Sequence, residues 1–96
     1  MYPNVRNGRK IVTTAGTAVR LVTSSTPARK VIITAEVDNG DYIVVGGSTV
    51  VAALATRQGT PLSAGSSLVI ENIRDLYEIY IDAVVSGEGV TFQYFF

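Results

Sequence analysis

Carboxylates are the side chains here with the clearest capacity for acid–base chemistry, because the chain holds eight Asp and Glu but no His and no Cys. Without imidazole or thiol there is no Ser–His or Cys–His nucleophile pair and none of the usual zinc ligand sets. Glu78 and Asp82 stand four apart in an alternating, strand-like stretch. On one strand face that spacing is about 13 Å, too far to share a proton or to flank a glycosidic bond. They read as charges on a solvated face. Asp38, Asn39 and Asp41 gather oxygens, but the spacing and closing Glu of a calcium loop are missing, so these are expected to be turn residues. The "GEG" at 87–89 is followed by an aromatic strand, not by the helix that a phosphate cradle needs. It reads as the loop of a hairpin.

The tyrosines offer stacking surfaces. Tyr2, Tyr42, Tyr77, Tyr80 and Tyr94 could lie against bases or sugars. Only eight residues are basic, and six of them precede residue 36, so a nucleic-acid groove is not expected. Sugar stacking by Tyr42 or Tyr80 stays open. The charges are segregated. Arg6, Arg9, Lys10, Arg20, Arg29 and Lys30 come before any acid, and all eight acids lie in residues 36–96 with only Arg57 and Arg74. Either the two halves pair and the charges mix in space, or a basic arm docks on an acidic neighbour.

What must position these groups is a set of short strands. A chain of 96 residues makes one domain with a thin core, and small domains often gain stability by association. Charged residues are only 17% of the total, which suggests that a partner covers some surface. The longest apolar run, "VVAALA" at 50–55, is far short of a membrane span, and "MYPNVRNGRK" lacks the apolar centre of a secretory leader. No membrane role is expected.

Strand-like segments cover 9–14, 17–22, 30–37, 42–46, 68–73, 75–84 and 90–96, seven or eight in all if 48–60 adds one. Pro27 keeps 24–29 out of a central strand. Asn39-Gly40 predicts a tight hairpin between 30–37 and 42–46. The short glycine loop at 86–89 predicts a second, C-terminal hairpin between 75–84 and 90–96, which would anchor the aromatic end of the chain. Residues 48–60 read as a strand, a helical turn or an apolar loop. As a loop they would leave Val50, Val51 and Leu54 wet unless folded back or covered by a partner.

Several of these segments carry a resemblance. "TTAGTAVRLVTSSTPARKVII" opens it, with Pro27 and Val31–Ala35. Tyr42–Gly47 follows, then Pro61, Leu62, Gly65 and Ser67. Leu76, Ile79–Ala83, Val85 and Gly87–Val90 complete it. Over about residues 12–96 the chain resembles small β-domains of structural proteins in tailed-bacteriophage virions. The resemblance implies a virion component without enzymatic activity, made in the host cytoplasm, of the capsid decoration (cement) or head or tail fibre type. A free-standing chain of this length is more similar to a decoration protein. The matching positions are structural, so no functional residue is carried over.

The expectation is an all-β sandwich, jelly-roll-like, spanning 11–96, behind a basic arm at 1–10. It would assemble with itself, as a trimer by preference, on the major capsid protein at the capsid surface, with no cofactor. Arg6, Arg9 and Lys10 would meet acidic capsid surface. Val50, Val51, Leu54 and the outward-facing Phe95 would lie at a subunit or capsid seam. The alternative is a tail or fibre module that binds cell-surface glycan through Tyr42 and Tyr80.

Overall fold

The structure, a computed structural model, describes residues 4–96. Its strands are Val5–Ile11 (β1), Val19–Arg20 (β2), Lys30–Ala35 (β3), Ile43–Gly46 (β4), Thr60–Leu62 (β5), Ser67–Glu71 (β6), Tyr80–Ala83 (β7) and Gly89–Phe95 (β8). Short 3-10 turns occupy Leu54–Thr56 and Leu76–Glu78. Two four-stranded antiparallel sheets form, with orders β1-β8-β3-β6 and β2-β7-β4-β5. The pairs β1–β8, β2–β7, β3–β6 and β4–β5 are those of one long hairpin bent at the β4–β5 loop. Rolling that hairpin up adds the β3–β8 and β4–β7 pairs. This is the jelly-roll arrangement, so the expected all-β, jelly-roll-like sandwich stands.

Alternation explains the core. Val31, Ile33, Ala35, Val90 and Phe92 point inward from the first sheet, and Ile43, Val45, Leu62, Ile81 and Ala83 from the second. Leu21, Val12 and Leu76 close the ends of the same cluster and are fully buried. Burial of each such side chain contributes roughly 1.5–3 kcal/mol.

Both predicted hairpins are overturned. β3 and β4 lie in different sheets, as do β7 and β8. The segments 38–41 and 86–89 are corners between sheets, and they clamp each other. The Asn39 amide donates to the Gly89 carbonyl at 2.9 Å and accepts from the Gly89 N–H at 3.3 Å. The Glu88 carboxylate accepts from the Gly40 and Asp41 amides. Neither Asn39 nor Gly40 takes the positive φ that a two-residue hairpin requires. The strand expected from residue 75 begins only at Tyr80, because Asp75 caps the 3-10 turn by accepting from the Tyr77 amide.

The first ten residues are not an arm over their described part. Val5–Ile11 pairs with β8 along its whole length, so the expected boundary after residue 10 falls inside a strand. Residues 1–3 of that segment, with Tyr2, lie outside the described residues. Glycine makes the pairing possible. A Cβ on Gly89 would sit 2.1 Å from the Lys10 carbonyl oxygen, and one on Gly8 would enter the Phe92 ring. Gly89→Ala should therefore cost about 1–3 kcal/mol by overpacking, read as a lower urea midpoint with an unchanged slope.

Asp75 generates a pH dependence. Its carboxyl is held below the usual carboxylate range, first by the Ser25 hydroxyl and then by the Tyr77 and Thr26 amides. In the unfolded chain it titrates near pH 3.9, roughly. A folded-state pKa below that value gives stability that is complete above it and lost as pH falls through the lower one. Thermal melts at descending pH should show a smaller acid-side loss for Asp75→Asn than for the parent.

Candidate interaction surface

The outer faces of the two sheets are built differently. On the second sheet, Val44 points away from the inter-sheet core yet is fully buried. It is covered by the β4–β5 loop, residues 47–59, which folds back across the sheet. Val50 and Ala52 from that loop make a second small core with Val44, rimmed by Ala18, Tyr80 and Val84. The loop is braced by paired backbone hydrogen bonds between Val51 and Gln58 at 3.0 and 2.9 Å. The Arg57 Nε donates to the Ala52 carbonyl at 3.0 Å.

A buried carboxylate holds this cover in place. Asp82 lies on the outward face of β7 beside Val44 and is 1% exposed. One oxygen accepts from the Gly16 amide at 3.0 Å and from the Ala83 amide at 2.9 Å. The other accepts from the Ala52 amide at 2.9 Å. The solvated-face reading of Asp82 is therefore wrong. Its oxygens are satisfied by three backbone N–H groups from two loops and its own strand. Glu78 sits exposed in the Leu76–Glu78 turn, so the two acids do not form a site.

Among the described residues, the outer face of the first sheet has no such cover. The registers place three rows across β1, β8, β3 and β6. They read Val5, Phe95, Lys30, Glu71; then Asn7, Gln93, Ile32, Val69; then Arg9, Thr91, Thr34, Ser67. None of these twelve side chains is buried. Val5 and Val69 are about half exposed, at 51% and 50%. The result is an open sheet face carrying an apolar band among amides and hydroxyls, with charges at its margin.

The residues expected at a seam are scattered by this layout. Val50 belongs to the second core, Val51 is half-buried within the loop, and Leu54 in the same loop is 82% exposed. Phe95 lies on the opposite sheet, half-buried, with the Lys30 ammonium 5.6 Å from its ring centre. Leu54 and Phe95 therefore do not share a patch. The expected basic trio is closer together, all on β1. Arg9 is engaged with Glu36 through two hydrogen bonds, the longer at 3.1 Å, which raises its already high pKa. Arg6 lies over the Phe96 ring at 5.5 Å, and among the described residues no acid reaches Arg6 or Lys10 within ion-pair distance.

The two tyrosines proposed for sugar stacking also separate. Ile43 faces Ala83 and Gly46 faces Tyr80, so Tyr42 and Tyr80 sit at opposite ends of the β4–β7 pair. Tyr80 is half-buried with the Arg20 guanidinium 4.8 Å from its ring centre, and Arg20 also stacks on Tyr77 at 3.8 Å. Tyr42 is 42% exposed, with Arg57 at 5.0 Å from its ring centre. A shallow cleft of about 260 Å³ lies beside it, lined by Asn39, Asp41 and Ser63 among others. The Asn39 amide is already spent on Gly89, and one Asp41 oxygen accepts from the Tyr42 amide at 2.7 Å. Among the described residues no cluster of three metal-ligating side chains forms, and no helix is long and apolar enough to cross a membrane.

Asp82 is the group sequence reasoning missed. Its signal was its place on the outward face opposite a run, Ile43–Val45, that is apolar on both faces and so needs cover on both. Asp82→Asn turns one acceptor into a donor facing an N–H, and should cost about 2–3 kcal/mol in urea unfolding. Hydrogen exchange at the Gly16 and Ala52 amides should accelerate selectively, while the inter-sheet core amides follow only the global loss.

No protein-family model matches this chain, and neither curated proteins nor solved structures match it.

Proposed function

We propose that the protein is a structural component of a bacteriophage virion, a decoration protein that binds and reinforces the head shell as a homo-oligomer. The observation that carries this reading is the outer face of the first sheet, open among the described residues, with Arg9 of β1 at its margin. A small domain that covers one sheet with its own loop and leaves the other open is suited to contact with another surface. The jelly roll fits the same reading, since it recurs in viral shell domains. The β-domain resemblance over residues 12–96 supplies the virion context.

The mechanism is linkage. A protein that binds the assembled shell, and not its separated subunits, stabilises the shell by RT ln(1 + [L]/Kd). Arg6 and Lys10, at the β1 edge but on the other face of that strand, supply attraction to acidic shell surface. The apolar band of Val5, Ile32 and Val69 supplies buried area. Arg9 contributes less than the sequence suggested, because Glu36 already neutralises it.

A second reading rests on the cleft beside Tyr42, which could take a sugar ring in a host-recognition module. Tyr80 does not reach that cleft. Binding to purified heads distinguishes the two. The protein should decorate empty shells, and Arg6→Glu and Lys10→Glu should each weaken attachment about fivefold, with the loss shrinking at high salt. Equal decoration by both variants would remove the cationic contact. Absence of shell binding, with glycan-array binding that Tyr42→Ala abolishes, would move the protein to the second reading.

A further inference from the structure

The two sheets also differ at their edges. The second sheet ends in β2, two residues long, and β5, three residues long with Pro61 at its centre. Short strands and proline are the ordinary protections of an exposed edge. The first sheet ends in β1, seven residues, and β6, five residues, neither containing proline. Among the described residues no strand pairs with the far side of either.

The hydrogen-bond phase shows which groups face out. Asn4 and Phe96 exchange backbone bonds at 3.1 Å, and the Val12 amide donates to the Glu88 carbonyl at 2.9 Å. In an antiparallel ladder such pairs recur every second residue. Arg6, Gly8 and Lys10 therefore bond to β8, while Val5, Asn7, Arg9 and Ile11 turn their N–H and C=O to the open side. On β6, the Ala35 amide bonds the Ser66 carbonyl at 2.9 Å, which fixes Leu68 and Ile70 as the residues facing β3. Ser67, Val69 and Glu71 face out.

We infer that these two edges are each other's partners: β6 of one copy pairs with β1 of the next, continuing the first sheet from molecule to molecule. Strand direction favours it. Four antiparallel strands are an even number, so β1 and β6 run oppositely. A neighbour added in the same orientation therefore meets β6 with an antiparallel β1. Charge favours it too. β1 carries Arg6, Arg9 and Lys10 with no acid, and the one charge on β6 is Glu71. A register with Val69 opposite Arg9 uses all three outward residues of β6 and sets Glu71 diagonal to Arg9. Pairing β1 with a second β1 is opposed. With the outward residues in phase, the central registers set cations opposite or diagonal to one another, which is destabilising. Strand addition uses backbone groups in the sheet plane, so the Arg6 and Lys10 side chains stay available. The inference extends the homo-oligomer part of the proposed function and does not depend on attachment to a shell.

The test is complementation in solution. Asn7→Pro and Val69→Pro each remove an outward N–H and leave the ladder inside the molecule intact. The parent should associate in sedimentation velocity. Each variant alone should be monomeric, with association weakened about tenfold or more. Mixed equally, they should form one-to-one dimers and nothing larger, because one intact β1 and one intact β6 remain. Amide exchange on the parent needs no variant: Asn7, Arg9, Val69 and Glu71 should be protected when concentrated and exposed on dilution. A parent that stays monomeric overturns the inference. So does Val69→Pro abolishing association while Asn7→Pro leaves it intact, which indicates β6 pairing with β6. Association that survives in both variants places the contact elsewhere. Shell attachment by a monomeric parent would refute the edge contact while leaving the decoration reading standing.

Discussion

The Asp82 carboxylate holds together two loops that are distant in sequence, by accepting the Gly16 amide on one side and the Ala52 amide on the other. A carboxyl group 1% exposed would be costly to bury without such partners. Because it is satisfied, residues 47–59 lie down over Val44, and the outer face of the second sheet becomes a dry layer. That leaves the first sheet as the one with a broad face open among the described residues. The asymmetry from which the functional reading grows begins with a single acid on β7.

The other acids follow a similar pattern. Asp75 ties the 24–27 loop to the Leu76–Glu78 turn through the Ser25 hydroxyl and the Thr26 and Tyr77 amides. Glu88 ties the two inter-sheet corners through Gly40 and Asp41. Glu36 takes Arg9. Much of the negative charge is therefore spent on the fold itself, and the cations of β1 stay at an edge. The segregation seen in the sequence is partly resolved in space, through Arg9 and Glu36. Among the described residues no acid offsets Arg6 or Lys10 within ion-pair distance.

Rolling up a long hairpin also decides where the edges fall. Sheet edges invite pairing, and here they are unequal: blunted in the second sheet, long and complementary in the first. The open face and the open edges belong to the same sheet. A contact along the edges would line up open faces of neighbouring copies into one larger surface, which a single domain of this size lacks.

Period-two alternation is a local property, and it was legible in the sequence. It marked the inward residues of 79–83 and 90–96, the strand at 30–35, and an all-β sandwich without helices. The absence of His and Cys was equally plain. What the alternation does not encode is which distant strand completes each ladder. Asn39-Gly40 and Gly87–Gly89 look like hairpin turns because the turn residues are right. They become corners because β8 fits between β1 and β3, and β7 between β2 and β4, with apolar sides matched across the two sheets. The same long-range pairing drew the basic N-terminal segment into β1, folded Val50 and Ala52 back onto Val44, and enclosed Asp82. Strand identity came from neighbouring residues; partner choice, burial of the acid and the open face came from contacts between segments far apart in the chain, which only the folded molecule brings together.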